Sequence, residues 1–370
     1  MSSSLPQVQP ELYASLFAAK AQRLTDLLAP FQETAPSLDL FPSPVSHYRY
    51  RTEFRIWHEG DDLFYAMFEV GEDPKKDRRI VRMDSYPIAS EAINALMPRL
   101  LAAIKDQPVL RHRLFQVEFL NTLSGEMLVT LIYHRQLDEA WEVAARALQQ
   151  ELQIEIIGRA RKQKKVLVRD HVMERLHVAG RELIYQQIEG SFTQPNPAIC
   201  QSMLEWALQV TQGSQERDLL ELYCGNGNFT LALAGQFRRV LGTEISRTSV
   251  GAAQVNIAAN QIDNVLVARA SAEELAAALA DPDSSLAARL AVADYDFSTV
   301  LVDPPRAGLD AATLAQVQGY ERIVYISCNP HTLADNLAEL TKTHRLERCA
   351  FFDQFPYTDH IEAGVYLVRR

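Results

Sequence analysis

Cys328 stands where a predicted strand gives way to a predicted helix. The surrounding residues read VYISCNPHTLADNL, and the apolar, β-branched run from Ile323 to Ile326 is typical of a buried strand. Asn329 followed by Pro330 is a helix-start signal, with the asparagine as N-cap and the proline at the first helical position. The positive end of that helix is expected to lower the pKa of the Cys328 thiol and so favour a nucleophilic thiolate. The ordinary alternative is a buried cysteine that packs as a small apolar side chain.

A glycine-rich turn, ELYCGNGNFT, follows another predicted strand and opens a helix. Its two glycines, Gly225 and Gly227, let the backbone turn tightly and approach a ligand closely. A dinucleotide-binding turn would carry a third small residue, but Thr230 occupies that position, and the shorter form resembles the first motif of S-adenosylmethionine-dependent methyltransferases. Glu244, at the end of the next strand, is placed to accept hydrogen bonds from ribose hydroxyls. Together these features predict a nucleotide-type cofactor site; a purely structural turn is the alternative.

A later strand, STVLVDPPRAGLD, ends in Asp303 and two prolines. The prolines predict a rigid loop at the carboxyl edge of the sheet, where ligands bind in such folds, with the Asp303 carboxylate pointing into the crevice. Amino-methylating enzymes often carry an aromatic residue after the two prolines to stack on the target base. This chain has Arg306 there, which argues against an exocyclic amine as the methyl acceptor.

Glu362, near the end of the chain, provides a base to accompany the cysteine. Carbon 5 of uracil is too poor a nucleophile to attack a sulfonium methyl group, but a thiolate that adds at carbon 6 converts the ring into an enolate that can. A carboxylate must then remove the carbon 5 proton so that the thiolate can leave. Cys328 and Glu362 are a nucleophile and a general base of the right types. His360 could orient Glu362 or the base, and a surface histidine is an equal alternative.

Four motifs, ELYCGNGNFT, LVDPPRAGLD, YISCNP and FDQFPYTDHIEAGV, together resemble the uracil-5 RNA methyltransferases. The segments SPVSHYRYRTEFRIWH and GSFTQPNP look like the bacterial tRNA branch of that family, and the resemblance runs from about residue 10 to the end. It implies that Cys328 is the nucleophile, Glu362 is the base, and the contacts to S-adenosylmethionine are Gln194, Tyr223, Asn228, Glu244 and Asp303. The implied product is 5-methyluridine at T-loop position 54 of tRNA, formed through a covalent adduct of the cysteine with carbon 6. The tRNA-like part of tmRNA is a further candidate substrate.

The resemblance also implies RNA contacts on an N-terminal sheet, for which we select Arg55, Phe115 and His134. A uridine inside a folded T loop must be extruded from its stacked position. These side chains could stack on the bases that stay behind, or take the place of the extruded base. Phe115 as an ordinary core residue is the alternative. The net charge of -10 argues mildly against a nucleic-acid partner, but residues 158–169 include six basic residues and no acid, and KKDRRIVR at 75–82 has five against one. A solvated face is the default explanation of both runs.

The elements that must position these residues follow two patterns. Residues 10–31 have apolar side chains at helical spacing, which predicts an amphipathic helix with the face Leu12, Leu16, Phe17, Leu24, Leu27 and Leu28. Two hairpins follow, one around EGDD and one turning near Ser124 and Gly125, with a helix at EAINALMPRLLAAI between them. From PNPAICQSMLEWALQVT onward, strands alternate with helices, the signature of a doubly wound α/β sheet.

The predicted fold is therefore α/β: a Rossmann-like class I methyltransferase domain preceded by a smaller α+β RNA-binding domain. The predicted boundaries are an N-terminal helix at 1–40, the RNA-binding domain at 41–185 and the methyltransferase domain at 186–370.

Cysteine usage and hydropathy limit the remaining possibilities. Cysteines occur at 200, 224, 328 and 349 without a CxxC pair, and none precedes Cys200, so the N-terminal iron-sulfur site of ribosomal members cannot be built. We predict no metal and no iron-sulfur cluster, with Cys200, Cys224 and Cys349 as packing residues. The start of the chain lacks the features of a signal peptide, and no run of about 18 apolar residues occurs. We therefore expect a cytoplasmic protein with no membrane partner and no obligate protein partner.

Two alternatives to a tRNA methyltransferase stay open at this point. One is the same reaction on ribosomal RNA. The other is an RNA-binding factor whose main contribution is to remodel the tRNA elbow, with methylation secondary, because the N-terminal domain would serve both roles.

Overall fold

The computed structural model describes residues 5–32, 37–70 and 78–370. The chain divides into two compact units, the first within Met1–Pro10, Pro44–Glu174 and Gln187–Pro197, the second within Glu11–Ser43, Arg175–Gln186 and Ala198–Arg370. These units differ from the predicted domains 1–40, 41–185 and 186–370. The N-terminal helix is part of the second unit because its Leu24 and Leu28 lie in the core of that unit. Residues 175–186, predicted in the RNA-binding domain, also belong to the second unit.

The helices are α1 (Pro10–Leu28), α2 (Glu91–Lys105), α3 (Pro108–Arg111), α4 (Glu139–Leu152), α5 (Pro197–Val210), α6 (Asn228–Leu233), α7 (Arg247–Ala259), α8 (Ala272–Ala280), α9 (Ser285–Leu290), α10 (Ala311–Val317) and α11 (Pro330–Leu340). The strands are β1 (Leu38–Phe41), β2 (Arg51–Glu59), β3 (Asp62–Val70), β4 (Arg78–Arg82), β5 (Leu114–Asn121), β6 (Met127–Tyr133), β7 (Glu155–Ala160), β8 (Gln163–Val166), β9 (His171–Val178), β10 (Arg181–Ile188), β11 (Asp218–Leu222), β12 (Val240–Glu244), β13 (Val265–Arg269), β14 (Phe297–Val302), β15 (Arg322–Ser327), β16 (His344–Phe352) and β17 (Glu362–Arg369).

The first unit is built on a seven-stranded sheet in the order β4-β3-β2-β5-β6-β7-β8. Both predicted hairpins are confirmed: β2 pairs with β3 across Gly60 and β5 with β6 across Gly125, and each glycine has a positive φ, 57° and 89°. Along β2, Phe54 and Ile56 are buried, whereas Arg55 between them is only half-buried. The pleat therefore directs Arg55 to the face opposite the core.

The second unit is built on an eight-stranded sheet in the order β1-β16-β17-β15-β14-β11-β12-β13. The strands β11 to β15 run parallel to their neighbours among themselves, whereas β17 is antiparallel to both β15 and β16. Alternate residues of β14 enter different cores: Val300 and Val302 pack with α11, and Leu301 packs with α5. Helices thus cover both faces of the sheet, which confirms the predicted doubly wound α/β fold.

Helix α1 is confirmed, but its buried face differs from the predicted one. Tyr13, Lys20 and Leu24 are buried, whereas Leu12 and Leu16 are 45% and 39% exposed. The expectation placed every leucine on the packed face, but a lysine occupies the buried stripe because its ammonium group has a buried carboxylate partner, Asp353.

Two further sequence features can be compared with the structure. Cys200, Cys224 and Cys349 are buried free thiols, as predicted for packing residues. Across the described ranges of the chain, no helix is both long enough and apolar enough to cross a membrane.

Candidate active site

Strand register brings the predicted cofactor residues of the second unit to one edge of the sheet. Leu222 of β11 pairs with Thr243 of β12 and with Val302 of β14. The residues that follow these three, Tyr223, Glu244 and Asp303, therefore lie side by side at the carboxyl ends of three parallel strands. Ligands of open α/β sheets bind at this edge, next to the point where the strand order reverses.

Two backbone amides hold the Glu244 carboxylate, one from the glycine turn and one from the N-cap of α7. The Gly225 amide donates to Glu244 Oε2 at 3.1 Å, and the Ser246 amide donates to Oε1 at 2.7 Å. Gly227 has a φ of 84°, and a Cβ there would lie 2.5 Å from Leu231 Cδ1, so the turn requires glycine at this position. An ionised carboxylate has about four acceptor sites, so Glu244 keeps capacity to accept hydrogen bonds from a ligand.

Asn228 opens α6 and is held from two sides. Its carbonyl oxygen accepts a hydrogen bond from the Tyr185 hydroxyl at 2.9 Å, and its side-chain amide lies 3.4 Å from Cys200 Sγ. Gln194, the remaining predicted cofactor contact, is half-buried in the loop after β10 and belongs to the first unit, so it is not among the residues that the second unit brings together.

The loop after Asp303 is fixed by polar side chains of the helix that follows the cysteine. Asn329 Nδ2 donates to the Arg306 carbonyl oxygen at 3.0 Å, and Thr332 Oγ1 lies 3.3 Å from the same oxygen. Deeper in the loop, the Leu309 amide and the Tyr325 hydroxyl both donate to Asn336 Oδ1, at 3.0 and 2.8 Å. The segment bearing Asp303 is therefore tied to the segment bearing Cys328.

Antiparallel pairing of β15 with β17 places Cys328 opposite Glu362. Ser327 pairs with Ala363 at the end of the ladder, so the two predicted catalytic residues, 34 residues apart in the chain, each adjoin this last pair, and the charge of Glu362 acts on the Cys328 thiol. Cys328 is half-buried, and Glu362 is 5% exposed. The antiparallel strand β17 is thus the element that brings the Glu362 carboxylate close to the Cys328 thiol.

The environment of Cys328 contradicts the expected low pKa. The pKa of the thiol is raised to about 11, first by burial and then by the negative charges of Glu362 and Asp303, while Arg306 acts in the opposite direction. The N-cap is formed as predicted, but the Asn329 side chain itself accepts the hydrogen bond of the His331 amide at 3.2 Å. Burial and two carboxyl groups outweigh the helix start.

The carboxyl groups at this edge also have raised pKa values. Burial raises the pKa of Asp303 to about 7, and burial together with Asp303 raises the pKa of Glu362 well above its ordinary value. Glu221, buried one residue before the end of β11, has its pKa raised to about 8 by burial, although the Thr230 hydroxyl donates to it at 2.6 Å. A cationic ligand bound here would favour the ionised forms of these groups.

The three predicted RNA contacts form one stack in the first unit. The Arg55 guanidinium carbon lies 3.9 Å from the centre of the Phe115 ring, and the His134 ring stacks on Phe115 with centroids 3.8 Å apart. The β5–β6 register shifts between Leu114 and Gln116, so Phe115 sits in a bulge that turns its ring out of the core. Phe115 is half-buried and His134 is exposed, so both rings reach the surface of the first unit, and their contact with RNA stays a prediction.

The basic segment at 158–169 is partly neutralised within the first unit. Arg159, Lys164 and Lys165 pair with Glu189, Asp170 and Glu142, and Arg169 pairs with Glu126 and Glu155. Arg161 and Lys162 are exposed, and neither has an ion pair with any residue that the structure describes. The other basic run, 75–82, lies partly outside the described residues.

Sequence reasoning missed the polar residues that hold the site together. Asn336, Thr332 and Lys20 were not singled out, although Asn336 and Lys20 are buried polar residues on the packed faces of α11 and α1. A polar residue in an apolar helical stripe is the signal that would have found these two, because such a group is buried only with a partner.

The strand order of the second unit, its reversed strand β17 and the glycine turn define a Rossmann-like methyltransferase fold. The same fold occurs in the crystal structure of the tRNA (uracil-54, C5)-methyltransferase of Pyrococcus abyssi in complex with S-adenosyl-L-homocysteine, with a TM-score of 0.71 at 20% identity over 96% of this chain and 83% of that one.

Sequence comparisons place the chain more narrowly. Residues 12–370 match the family model for tRNA (Uracil-5-)-methyltransferase. A tRNA/tmRNA (uracil-C(5))-methyltransferase of Chromohalobacter salexigens is 62% identical over 99% of this chain and 98% of its own length, and one of Vibrio vulnificus is 54% identical over 98% of each. The chain belongs to the tRNA (uracil-5-)-methyltransferase family.

Proposed function

We propose that this chain transfers a methyl group from S-adenosylmethionine to carbon 5 of the T-loop uridine at position 54 of tRNA, forming 5-methyluridine. Family membership and relatives whose names specify tRNA and tmRNA support this function, and we include tmRNA as a second substrate on the same ground. The observation that carries the proposal is the placement of Cys328 opposite Glu362 beside Asp303. An enzyme acting on these RNAs works in the cytoplasm.

Cys328 and Glu362 have consecutive roles in this proposal. The Cys328 thiolate adds to carbon 6 of the uracil ring, forming a carbon–sulfur bond and an enolate whose carbon 5 is nucleophilic. After carbon 5 has been methylated, Glu362 removes its proton, the ring double bond re-forms and the carbon–sulfur bond breaks. Burial and the neighbouring Asp303 raise the pKa of Glu362 well above its ordinary value, and only the ionised carboxylate can act as the base.

The carboxyl groups at this edge of the sheet, those of Glu244, Asp303 and Glu362, fit S-adenosylmethionine, which supplies an electrophilic methyl group on a sulfonium cation. Glu244 is held by two backbone amides with acceptor sites to spare for ribose hydroxyls, and Tyr223, Asn228 and Asp303 complete the set in the second unit. A positive charge near Asp303 and Glu362 would also lower the raised pKa values of these carboxyl groups.

The stack of Arg55, Phe115 and His134 supports a role in holding the RNA. Its flat surfaces match the faces of unstacked bases, and the guanidinium adds a positive charge. We infer that the stack takes the place of a base neighbouring the extruded uridine, so that the T loop stays open while the target is modified.

Nucleoside analysis tests the proposal. tRNA and ribosomal RNA fragments are incubated in parallel with methyl-labelled S-adenosylmethionine and either the wild-type protein or Cys328→Ala, and the labelled nucleosides are identified. We expect 5-methyluridine in tRNA only, with none formed by Cys328→Ala. Label in ribosomal RNA alone would move the substrate to that class. Wild-type refolding of tRNA by Cys328→Ala, with negligible methylation by either protein, would favour the folding-factor function.

A further inference from the structure

Helix α1 carries a lysine in the middle of its buried stripe. Lys20 lies seven residues after Tyr13, so both side chains point to the same face of the helix. Lys20 Nζ lies 2.6 Å from Asp353 Oδ1, and the two side chains are only 6% and 1% exposed. Tyr13 hydrogen-bonds to the same carboxylate and accepts a hydrogen bond from the Ser43 amide at 2.7 Å. Asp353 is therefore held by two residues of one helix.

Lys20 also begins a chain of hydrogen bonds that runs towards the sheet edge carrying Asp303, Cys328 and Glu362, here called the active edge. Its ammonium group donates to the Phe355 carbonyl oxygen at 3.1 Å, and the same oxygen accepts from Thr358 Oγ1 at 2.8 Å. The Thr358 hydroxyl in turn accepts from the His360 amide at 3.3 Å. His360 Nδ1 lies 3.4 Å from Arg306 Nη2, on the loop that follows Asp303.

The segment tied down in this way, residues 353–361, connects β16 to Glu362. It joins the last residue of β16 directly to the first residue of β17. Within the second unit, Tyr357 of this segment packs edge-on against Tyr13 of α1 with centroids 5.9 Å apart. Arg23 also pairs with Asp359 at 3.1 Å, but both side chains are exposed, so this ion pair fixes the segment little.

A buried ion pair is weak as a source of stability, because desolvation of the two charges offsets most of their attraction. An apolar pair of similar volume would pack α1 against the sheet at least as well. What the ion pair adds is direction: the ammonium group bonds to the Asp353 carboxylate and to the Phe355 carbonyl oxygen, and so ties two points of the segment to one residue of α1.

We propose that Lys20 is a positioning residue that, through Asp353 and the Phe355 carbonyl, holds segment 353–361 so that Glu362 meets the carbon 5 proton. This assignment rests on the proposed function of Cys328 and Glu362. It makes α1 part of the catalytic architecture rather than a cover for the core. A loosened segment would slow proton removal specifically, since the cysteine and the cofactor residues lie on other elements.

The test uses the full-length protein with Lys20→Met combined with Asp353→Asn, so that no charge is left buried without a partner. Arg23→Gln is the matched control, because it breaks an ion pair between the same helix and the same segment at side chains that are 51% and 96% exposed. Turnover, KM for S-adenosylmethionine and the fraction of protein in a covalent RNA adduct on a denaturing gel are measured for both.

We expect kcat of the double variant to fall about tenfold or more, as misplacement of a catalytic group does, with an increased fraction of methylated adduct and an unchanged KM for S-adenosylmethionine. Arg23→Gln should match the wild type. A folded double variant with wild-type kcat, or with reduced kcat and no increase in adduct, would overturn the assignment. If Glu362→Gln also formed no adduct that depends on Cys328, the proposed function itself would fail, which separates the two conclusions.

Discussion

The active edge of the second unit and the stack of the first unit are built in opposite ways. At the active edge, Asp303, Cys328 and Glu362 come from three strand ends, are half-buried or buried, and have strongly shifted pKa values. In the stack, Phe115 and His134 keep part of their surface free and meet through flat ring contacts.

The difference matches the roles that we propose for the two regions. Bond-making chemistry needs groups whose proton affinities are changed by burial and by one another. Recognition of an RNA base needs accessible flat surfaces and a positive charge, for which burial would be a disadvantage. Mutations should therefore separate the regions: the active edge should affect the chemical steps, and the stack should affect RNA binding.

Glu362→Gln should give the largest effect and sharpen this separation. The amide keeps the shape of the side chain but cannot act as a strong base, so turnover should fall about 10²- to 10⁴-fold. Addition of Cys328 and methyl transfer still proceed, so a methylated RNA–protein adduct should accumulate on a denaturing gel, provided that S-adenosylmethionine is present. Near-normal turnover without adduct would assign proton removal to another group, with His360 and Asp303 as the candidates.

The pH dependence of adduct formation should be the next largest effect. In the proposed mechanism Cys328 reacts as the thiolate. Its pKa is raised to about 11, so the reactive fraction should grow as pH rises, by at most about tenfold for each pH unit below that value. Single-turnover adduct formation by the wild type should therefore accelerate from pH 7 to pH 9. Arg306→Gln removes the charge that opposes the rise in pKa and should move the profile to higher pH. A flat profile would mean that bound RNA and cofactor remove the shift.

Phe115→Ala should weaken RNA binding while leaving the chemistry intact. Stacking of a base on an aromatic side chain contributes about 1–3 kcal/mol, so the Kd for tRNA should rise roughly tenfold, while the single-turnover rate at saturating tRNA stays near the wild-type value. Val143→Ala, which truncates a 66% exposed side chain on α4, is the control. A slow chemical step at saturating tRNA would contradict this prediction, because it would show that the stack also contributes to the chemical step.

The smallest effect should come from the basic segment, and the ion pairs predict which residues matter. Arg161→Ser with Lys162→Ser should flatten the slope of log affinity against log salt, by up to about one for each phosphate that is no longer neutralised. Lys164→Ser with Lys165→Ser should change the slope less, because these side chains already pair with Asp170 and Glu142. Equal slopes for both variants and the wild type would return the segment to a solvated face.

Much of the fold and of the chemistry could be predicted from the sequence, because those signals are local. Period-two alternation and turn glycines predicted both hairpins, and strand–helix alternation predicted the doubly wound sheet. Asn329 and Pro330 predicted the start of α11 at the correct residue. The strand that precedes the two prolines was enough to predict that Asp303 lies at the carboxyl edge of the sheet, where it follows the last residue of β14.

Only the tertiary structure decided the environments of these residues. The Cys328 thiol follows the burial and the carboxyl groups around it rather than the helix that it precedes, and the sequence shows none of those neighbours. Lys20 lies in a buried stripe because of a partner 333 residues away, and Phe115 leaves the core because of a one-residue shift in strand register. Secondary structure depends on near neighbours in the chain, whereas desolvation and Coulomb energy depend on which distant residues the fold brings within a few ångströms.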